Sequence, residues 1–343
     1  MILSLLLLSA FLVSLFCTCA LIRFNRDSRL TDVPSARSSH CSPIPRVGGI
    51  GILLAFYSAS SLASLFGWRD SSTLYLFLGP ALLVAVVGFL DDLHDVAVKR
   101  RLLVHSVAVA WLLTQRGGFP PLLLFDTAVD FGLTGNVLAA LFLVWLINLY
   151  NFMDGIDGLA AIEAITVCVG GVLLAFISAD SSGLWWVEAL LACSAAGFLV
   201  WNFPRALAFM GDAGSSFLGM CMGIFALDLA WRVPNGWWSW MILLGCFIVD
   251  ATITLVRRLL RSQKLYEAHR SHAYQYAARK HGSHSMVTMV VALINLIWLL
   301  PMSILVSVGI LDGFVGLMIS YLPLAFLAVR YKAGAVEQQS DSP

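Results

Sequence analysis

The chain has 343 residues, of which 59% are hydrophobic and only 12% charged. That is more apolar surface than a soluble domain of this length can bury, so a soluble enzyme or binding module is excluded and a lipid bilayer is the expected solvent and partner. The formal net charge of +1 singles out no charged partner, and no nucleic acid is expected.

A spanning helix needs about 20 mostly apolar residues. Eleven stretches approach this: 2–22, 48–66, 74–90, 102–114, 136–150, 159–178, 184–203, 213–231, 237–256, 286–308 and 313–330. The fourth and fifth are short, so the predicted fold is an all-α polytopic membrane protein of about 10–11 transmembrane helices. Residues 1–330 form a single integral membrane domain, and 331–343 a cytoplasmic C-terminal tail. The first stretch lacks a basic leading region and a small-residue cleavage site, and reads as a retained helix. Seven cysteines lie singly, mostly within apolar runs and without metal-ligand spacing, as packing residues do.

Eleven spans put alternate loops on opposite sides. All but three of the 21 Lys and Arg residues then fall on one side, the exceptions being Arg69, Arg116 and Arg232. The positive-inside rule makes that side cytoplasmic, with the N-terminus outside and the C-terminus inside. On the outer side, Pro120 to Gly135 is too interrupted to span and reads as a short hairpin on the membrane surface.

Five cytoplasmic loops carry the polar residues. The first, DVPSARSSHCSPIPRVGGIG, offers Arg37, His40 and Arg46 in a proline-broken segment suited to a lid or a head-group site. The second, GFLDDLHDVAVKRR, sets Asp91 and Asp92 side by side, with Asp95 one turn on. Adjacent carboxylates repel unless they share a cation or a proton, which suits Mg²⁺ binding or proton abstraction. Lys99, Arg100 and Arg101 follow and can hold phosphate oxygens while neutralising the acids.

The third loop, NLYNFMDGIDGLA, places Asn148, Asn151, Asp154 and Asp157 three residues apart. A continuing helix would keep them near one stripe, whereas Gly155 and Gly158 argue for a break that lets backbone approach a ligand. In the fourth, NFPRALAFMGDAGSSFLG, Asp212 opens a helix whose free N–H groups favour an anion, the makings of a metal diphosphate clamp. The fifth runs from Arg257 to Ser285. His269, Arg270 and His272 suit phosphate or diphosphate binding, while Arg257, Arg258, Arg261 and Lys264 read as one face of a basic surface helix. Of the acids within spans, Glu163 is expected to face the site, and Glu188, Asp228 and Asp250 to be helix–helix partners.

Taken together, DDLHD, NLYNFMDGIDG, FMGDAGSSFLG and HRSH, in that order between about Arg37 and His272, resemble the polyprenyl-phosphate N-acetylaminosugar-1-phosphate transferases, glycosyltransferase family 4. The resemblance implies a phosphotransferase of the bacterial inner membrane, active on its cytoplasmic face. It would use a UDP-N-acetylaminosugar and undecaprenyl phosphate to give undecaprenyl-diphospho-sugar and UMP, with Mg²⁺ as cofactor and Mn²⁺ able to substitute. It further implies Asp212 as principal metal ligand beside Asn151 and Asp154. Asp91, Asp92, Asp154 and Asp157 would be the catalytic acids, with Asp91 or Asp92 on the lipid phosphate. Asn151, Arg37, His40, Arg46, His269, Arg270 and His272 would contact substrate, and a homodimer is compatible with the family. The peptidoglycan translocases carry three adjacent histidines where this chain has His269-Arg-Ser-His272. That departure favours the branch initiating O-antigen or other surface polysaccharides, closest to enzymes for 6-deoxy sugars, over the phospho-MurNAc-pentapeptide translocases. A polytopic transporter is the alternative from another class, but it would place its acids near the bilayer midplane and show inverted repeats.

Overall fold

A computed structural model describes residues 1–25, 30–32, 43–67, 77–178, 184–263 and 270–335. Helices α1 (Ile2–Phe24) and α2 (Gly48–Leu65) come first. A π-turn at Phe77–Ala81, containing Pro80, leads into α3 (Leu82–His94), followed by α4 (Val98–Arg116) and α5 (Gly132–Met153). Next are α6 (Leu159–Ile177), α7 (Trp185–Asn202), α8 (Gly211–Arg232), α9 (Gly236–Leu243) and α10 (Gly245–Leu260). The last four are α11 (Ala273–His281), α12 (His284–Ile294), α13 (Leu300–Ser307) and α14 (Gly313–Arg330).

Over their described residues, the eleven apolar stretches are occupied largely by helix. Among the described residues seven helices, counting α12 to α13 as one rod through a π-turn, are long and apolar enough to cross a membrane by themselves. The bent pair α9–α10, which turns by 73° at Leu244, is long and apolar enough when its two helices are taken together, and makes an eighth crossing if the pair is one span. The chain is a multi-pass membrane protein of all-α class. Its exposed leucines, valines and phenylalanines on α1, α5, α12 and α14 are what lipid contact requires.

Two antiparallel ribbons are the only sheet among the described residues: β1 (Thr31–Asp32) with β2 (Ile44–Pro45), and β3 (Leu122–Leu124) with β4 (Thr127–Val129). The second is the hairpin expected between 120 and 135. Phe125 and Asp126 both take positive φ, which gives a two-residue turn the twist that the strands need. Trp238 Nε1 donates to the Leu123 carbonyl at 2.8 Å, and the Phe125 amide donates to Asp312 Oδ2 at 3.0 Å, so the hairpin is fastened to α9 and the start of α14.

Helix α8 is the axis of the bundle, buried over nearly its whole length and packed by α2, α3, α5 and α9. Its two ends differ. The first turn carries Asp212, and the last holds Asp228 between Arg116 of α4 and Arg232, which absorbs two of the three basic residues assigned to the outer side. Sixteen residues at about 1.5 Å each separate the two acids by roughly 24 Å. Asp228 is therefore a helix–helix partner, as expected, and sits at the opposite end from the polar loops.

Residues 331–335 do not leave the bundle as a loose tail. Ala333 is fully buried, its carbonyl accepts from Arg257 Nη1 at 3.0 Å, and the Gly334 carbonyl accepts from Arg261 Nη1 at 2.7 Å. Arg258 is buried against Ser271. These arginines fasten chain segments together and are not the basic face of a surface helix. Residues 336–343 and Lys264 lie outside the described residues.

The approach of α3 to α8 depends on one glycine. A Cβ at Gly88 would stand 2.4 Å from the Asp212 carbonyl oxygen. Gly88→Ala is expected to cost about 1–3 kcal/mol through overpacking and to lower the thermal midpoint of the detergent-purified protein. An unchanged midpoint would show that the α3–α8 contact is looser than described.

Candidate active site

Four loops meet at the end of the bundle where α8 begins. Asp91 and Asp92 close the last turn of α3. The Asp91 Oδ1 accepts from the Val96 amide at 2.6 Å, and its other oxygen accepts from Arg101 in the first turn of α4. The same Arg101 nitrogen donates to Asp212 Oδ2 at 2.8 Å. One guanidinium thus stands between two carboxylates from helices that begin or end here, so their mutual repulsion is offset by a shared cation. Lys99 and Arg100 remain exposed. Asp91 keeps 11% of its side chain exposed and Asp212 27%, so both stay reachable from solvent.

Asp92 has a different task from its neighbour. Its oxygens accept from the backbone amides of Asp212 at 3.0 Å and Ala213 at 3.1 Å, capping α8 from outside the helix. The N–H groups expected to wait for an anion are therefore occupied by an anion the protein supplies. Gly211 makes this possible: its φ of +76° suits glycine, and a Cβ there would stand 2.8 Å from an Asp92 oxygen.

The Asn-Asp ladder is not one stripe. Helix α5 stops at Met153 and α6 starts after Gly158, itself at φ +76°, so the four polar side chains part company. Asn151 Nδ2 donates to Asp212 Oδ1 at 2.7 Å and to Ser215 Oγ at 3.2 Å, orienting the metal-ligand candidate. Asp154 caps α5. Burial and the nearby Asp92 charge push its carboxyl up to about 7, with Arg46 pulling the other way. Asn148 lies deeper, with His105. Asp157 turns to His284, 3.4 Å away, while its carbonyl accepts from Thr288, which joins this loop to α12 instead of completing the Asp91–Asp212 cluster.

Arg46 reaches the same place from the first loop. The Phe209 amide donates to the Pro45 carbonyl, and the Gly48 and Gly49 amides donate to the Phe209 and Met210 carbonyls, so residues 45–49 run alongside the chain that leads into Asp212. The Arg46 guanidinium pairs with Asp32 at 2.7 Å. Asn202 fastens the two neighbouring loops, accepting from the Gly158 amide and donating to the Ala208 carbonyl, both at 2.8 Å. Arg37, His40 and His269 lie outside the described residues.

The fifth loop is tied to this centre through aromatic contacts and one buried acid. His272 is buried and starts α11, with a reciprocal capping box to Gln275. Asp250 of α10 lies 3.3 Å from His272 Nδ1 and accepts from the Ala273 and Tyr274 amides at 2.9 and 3.0 Å. Tyr274 Oη donates to the Phe152 carbonyl at 3.0 Å, linking α11 to the segment between Asn151 and Asp154. Arg270 is held nearby, its carbonyl accepting from Arg279.

Asp250, expected to be a helix–helix partner, is thus the support of the His272 loop. A carboxylate in an apolar span with Thr254 one turn on, whose hydroxyl donates to it at 3.1 Å, was the available signal. Glu163 does not face the acidic centre; its partner is Asn295.

Comparison with known proteins agrees with the motifs. The family model described as glycosyl transferase family 4 matches residues 74–230, which include Asp91, Asp92, Asn151, Asp154, Asp157 and Asp212. The chain is 27% identical over 290 residues to the undecaprenyl-phosphate alpha-N-acetylglucosaminyl 1-phosphate transferase of Thermotoga maritima, covering 82% of this chain and 84% of that one. The family model and these relatives support the resemblance to glycosyl transferase family 4, the polyprenyl-phosphate sugar-1-phosphate transferases. The chain is also 27% identical to a probable undecaprenyl-phosphate N-acetylglucosaminyl 1-phosphate transferase of Bacillus subtilis, over 87% of this chain and 82% of that one. A phospho-N-acetylmuramoyl-pentapeptide-transferase of Streptococcus pneumoniae matches at 27% over 72% of this chain and 78% of its own.

The two adjacent acids of α3 are expected to separate by experiment. Asp92→Ala removes the cap of α8 and should lower stability by about 1–2 kcal/mol, seen as a lower thermal midpoint. Asp91→Ala leaves Arg101 paired with Asp212 and should leave the midpoint nearly unchanged. Equal losses would contradict the division of roles.

Proposed function

We propose that this chain transfers an N-acetylated aminosugar-1-phosphate from a UDP-sugar to undecaprenyl phosphate, giving undecaprenyl-diphospho-sugar and UMP. The observation that carries the reading is the convergence of four family motifs at one end of the bundle, with Arg101 between Asp91 and Asp212. In the reaction the β-phosphorus of the UDP-sugar becomes bonded to a lipid phosphate oxygen, by direct attack or by way of an aspartyl-phosphate intermediate. The bond from that phosphorus to the bridging oxygen breaks, and UMP leaves with the electron pair.

Both substrates are anions, so the protein must hold them together against their repulsion. Arg46 and Arg101 bring positive charge to the meeting point, and Arg270 and His272 border it. Asp91, which shares Arg101 with Asp212, takes the role of orienting or deprotonating the lipid phosphate, while Asp92 caps α8. Asp157 contributes from the edge through His284. Arg37, His40 and His269 complete the substrate contacts in this reading.

Mg²⁺ prefers oxygen donors and keeps several waters or substrate oxygens in its shell. Asp212, Asn151 and Asp154 supply such donors. When bound, Mg²⁺, or Mn²⁺ in its stead, would supply charge neutralisation of the diphosphate.

The replacement of three adjacent histidines by His269-Arg-Ser-His272 supports an N-acetylated monosaccharide donor, used to initiate O-antigen or another surface polysaccharide, over MurNAc-pentapeptide. The concentration of basic residues in loops on one side supports an inner-membrane enzyme with its active face in the cytoplasm.

Purified protein with undecaprenyl phosphate, Mg²⁺ and a panel of UDP-sugars is expected to release UMP from at least one N-acetylated aminosugar donor. Asp212→Ala should reduce that rate by at least about 10²-fold without changing the elution of the folded protein. Absence of UMP from every N-acetylated donor would overturn the reading, and turnover of UDP-MurNAc-pentapeptide alone would move the chain to the peptidoglycan branch.

A further inference from the structure

Helix α14 ends in a turn that sends the chain back onto the fifth loop. The Ala333 amide donates to the Ala328 carbonyl at 2.9 Å and the Lys332 amide to the Val329 carbonyl at 3.1 Å, the closure in which one residue in the left-handed region terminates a helix. That residue is usually glycine; here it is Lys332, at φ +55°. Gly334 follows at φ +68° and turns the backbone again. Lysine suits this region less well than glycine, but its side chain has a use there. The Lys332 ammonium stands over the Tyr276 ring of α11, 5.2 Å from its centre.

The second turn delivers Gly334 to the buried Ser271, between Arg270 and His272. The Gly334 amide donates to the Ser271 carbonyl at 2.7 Å. The end of α10 grips the opposite edge of the same segment, Arg261 Nη1 donating to the Gly334 carbonyl at 2.7 Å and Arg257 Nη1 to the Ala333 carbonyl at 3.0 Å. Only glycine fits this place: a Cβ at Gly334 would stand 2.7 Å from the Thr254 carbonyl oxygen and 2.7 Å from Arg257 Cβ. Tyr331 completes the attachment, with its hydroxyl 3.3 Å from His281 Nε2 and its ring beneath the Lys280 ammonium at 5.6 Å. Residues 331–334 thus join the end of α10 to Ser271, to Tyr276 and to the last residue of α11.

Asp250 accepts from the Ala273 amide, and so fixes the peptide that follows His272. It leaves the preceding peptide to another partner. The Ser271 carbonyl belongs to that preceding peptide, and Gly334 holds it. Because each peptide unit is planar, hydrogen bonds on both sides of the His272 α-carbon fix the direction in which its side chain leaves the backbone. We propose that residues 331–334 are a positioning strap: Gly334, held by Arg261, fixes the peptide ahead of His272 and thereby sets Arg270 and His272 for the nucleotide sugar. The part played by Arg270 and His272 rests on the proposed function; the strap itself does not.

The test compares full-length Gly334→Val and Arg261→Met with the unmodified protein, by amide hydrogen exchange and by steady-state kinetics. A β-branched residue cannot take the backbone of Gly334 without strain, and methionine keeps the apolar stem of Arg261 while losing the donor. Gly334→Val is expected to speed exchange about tenfold at residues 272–274 while α8 is unchanged. It should also raise KM for the UDP-sugar about fivefold, with kcat within about threefold and KM for undecaprenyl phosphate within about twofold. A loss of stability alone would lower the active fraction, and hence kcat, without moving KM. Unchanged exchange at 272–274 in the valine variant, or an unchanged KM for the UDP-sugar, overturns the proposal. If Gly334→Val does not fold, Arg261→Met is expected to shift the same amides and the same KM in the same direction, and no shift there overturns it. Failure of the unmodified protein to release UMP would count against the function alone, because the exchange measurement needs no turnover.

Discussion

Three carboxylates, Asp91, Asp92 and Asp212, are brought together at the start of the long and largely buried helix α8, and such a cluster assembles only if each charge is answered. Two separate answers are built in. Arg101 stands between Asp91 and Asp212, and the orphan amides of α8 take Asp92. The rest of the site follows from this arrangement. Gly88 lets α3 close on α8, Gly211 shapes the backbone around Asp92, and Asn151 crosses from α5 to orient Asp212.

The class of the protein was legible in the sequence because apolar stretches of spanning length are a strong signal. Over their described residues the eleven stretches are largely helix, seven helices qualifying as spans or eight with the bent pair, and the hairpin at 122–129 formed where interrupted hydrophobicity placed it. The convergence of the motifs was legible as well, since Asp91, Asn151 and Asp212 all fall where apolar runs end on the same side. Their assignments to partners were not. Nothing in DDLHD distinguishes the aspartate that caps α8 from the one that shares Arg101, because the difference lies in the rotation of α3 against a helix 120 residues away. The regular spacing of Asn148, Asn151, Asp154 and Asp157 suggested one face, but Gly155 and Gly158 end the helix and send Asp157 to His284.

The buried acids divide by their surroundings. Asp228 at the far end of α8 is neutralised by Arg116 and Arg232 and closes that end of the bundle. Asp250 accepts two backbone amides and supports the His272 loop, a task that sequence patterning alone assigned to helix packing. The arginines of the fifth loop, which composition suggested as a membrane-surface face, are spent on the carbonyls that follow α14 and on Ser271. In each case a charged side chain in a water-poor setting satisfies backbone groups that an irregular segment leaves open.

If the clustered acids at the start of α8 form a cation site, the purified protein should bind one equivalent of Mn²⁺, observed directly as loss of the free-ion paramagnetic resonance signal. Mg²⁺ should compete for it, and Asp212→Asn should weaken binding at least about tenfold. Full retention of the free Mn²⁺ signal on addition of the protein would contradict the account.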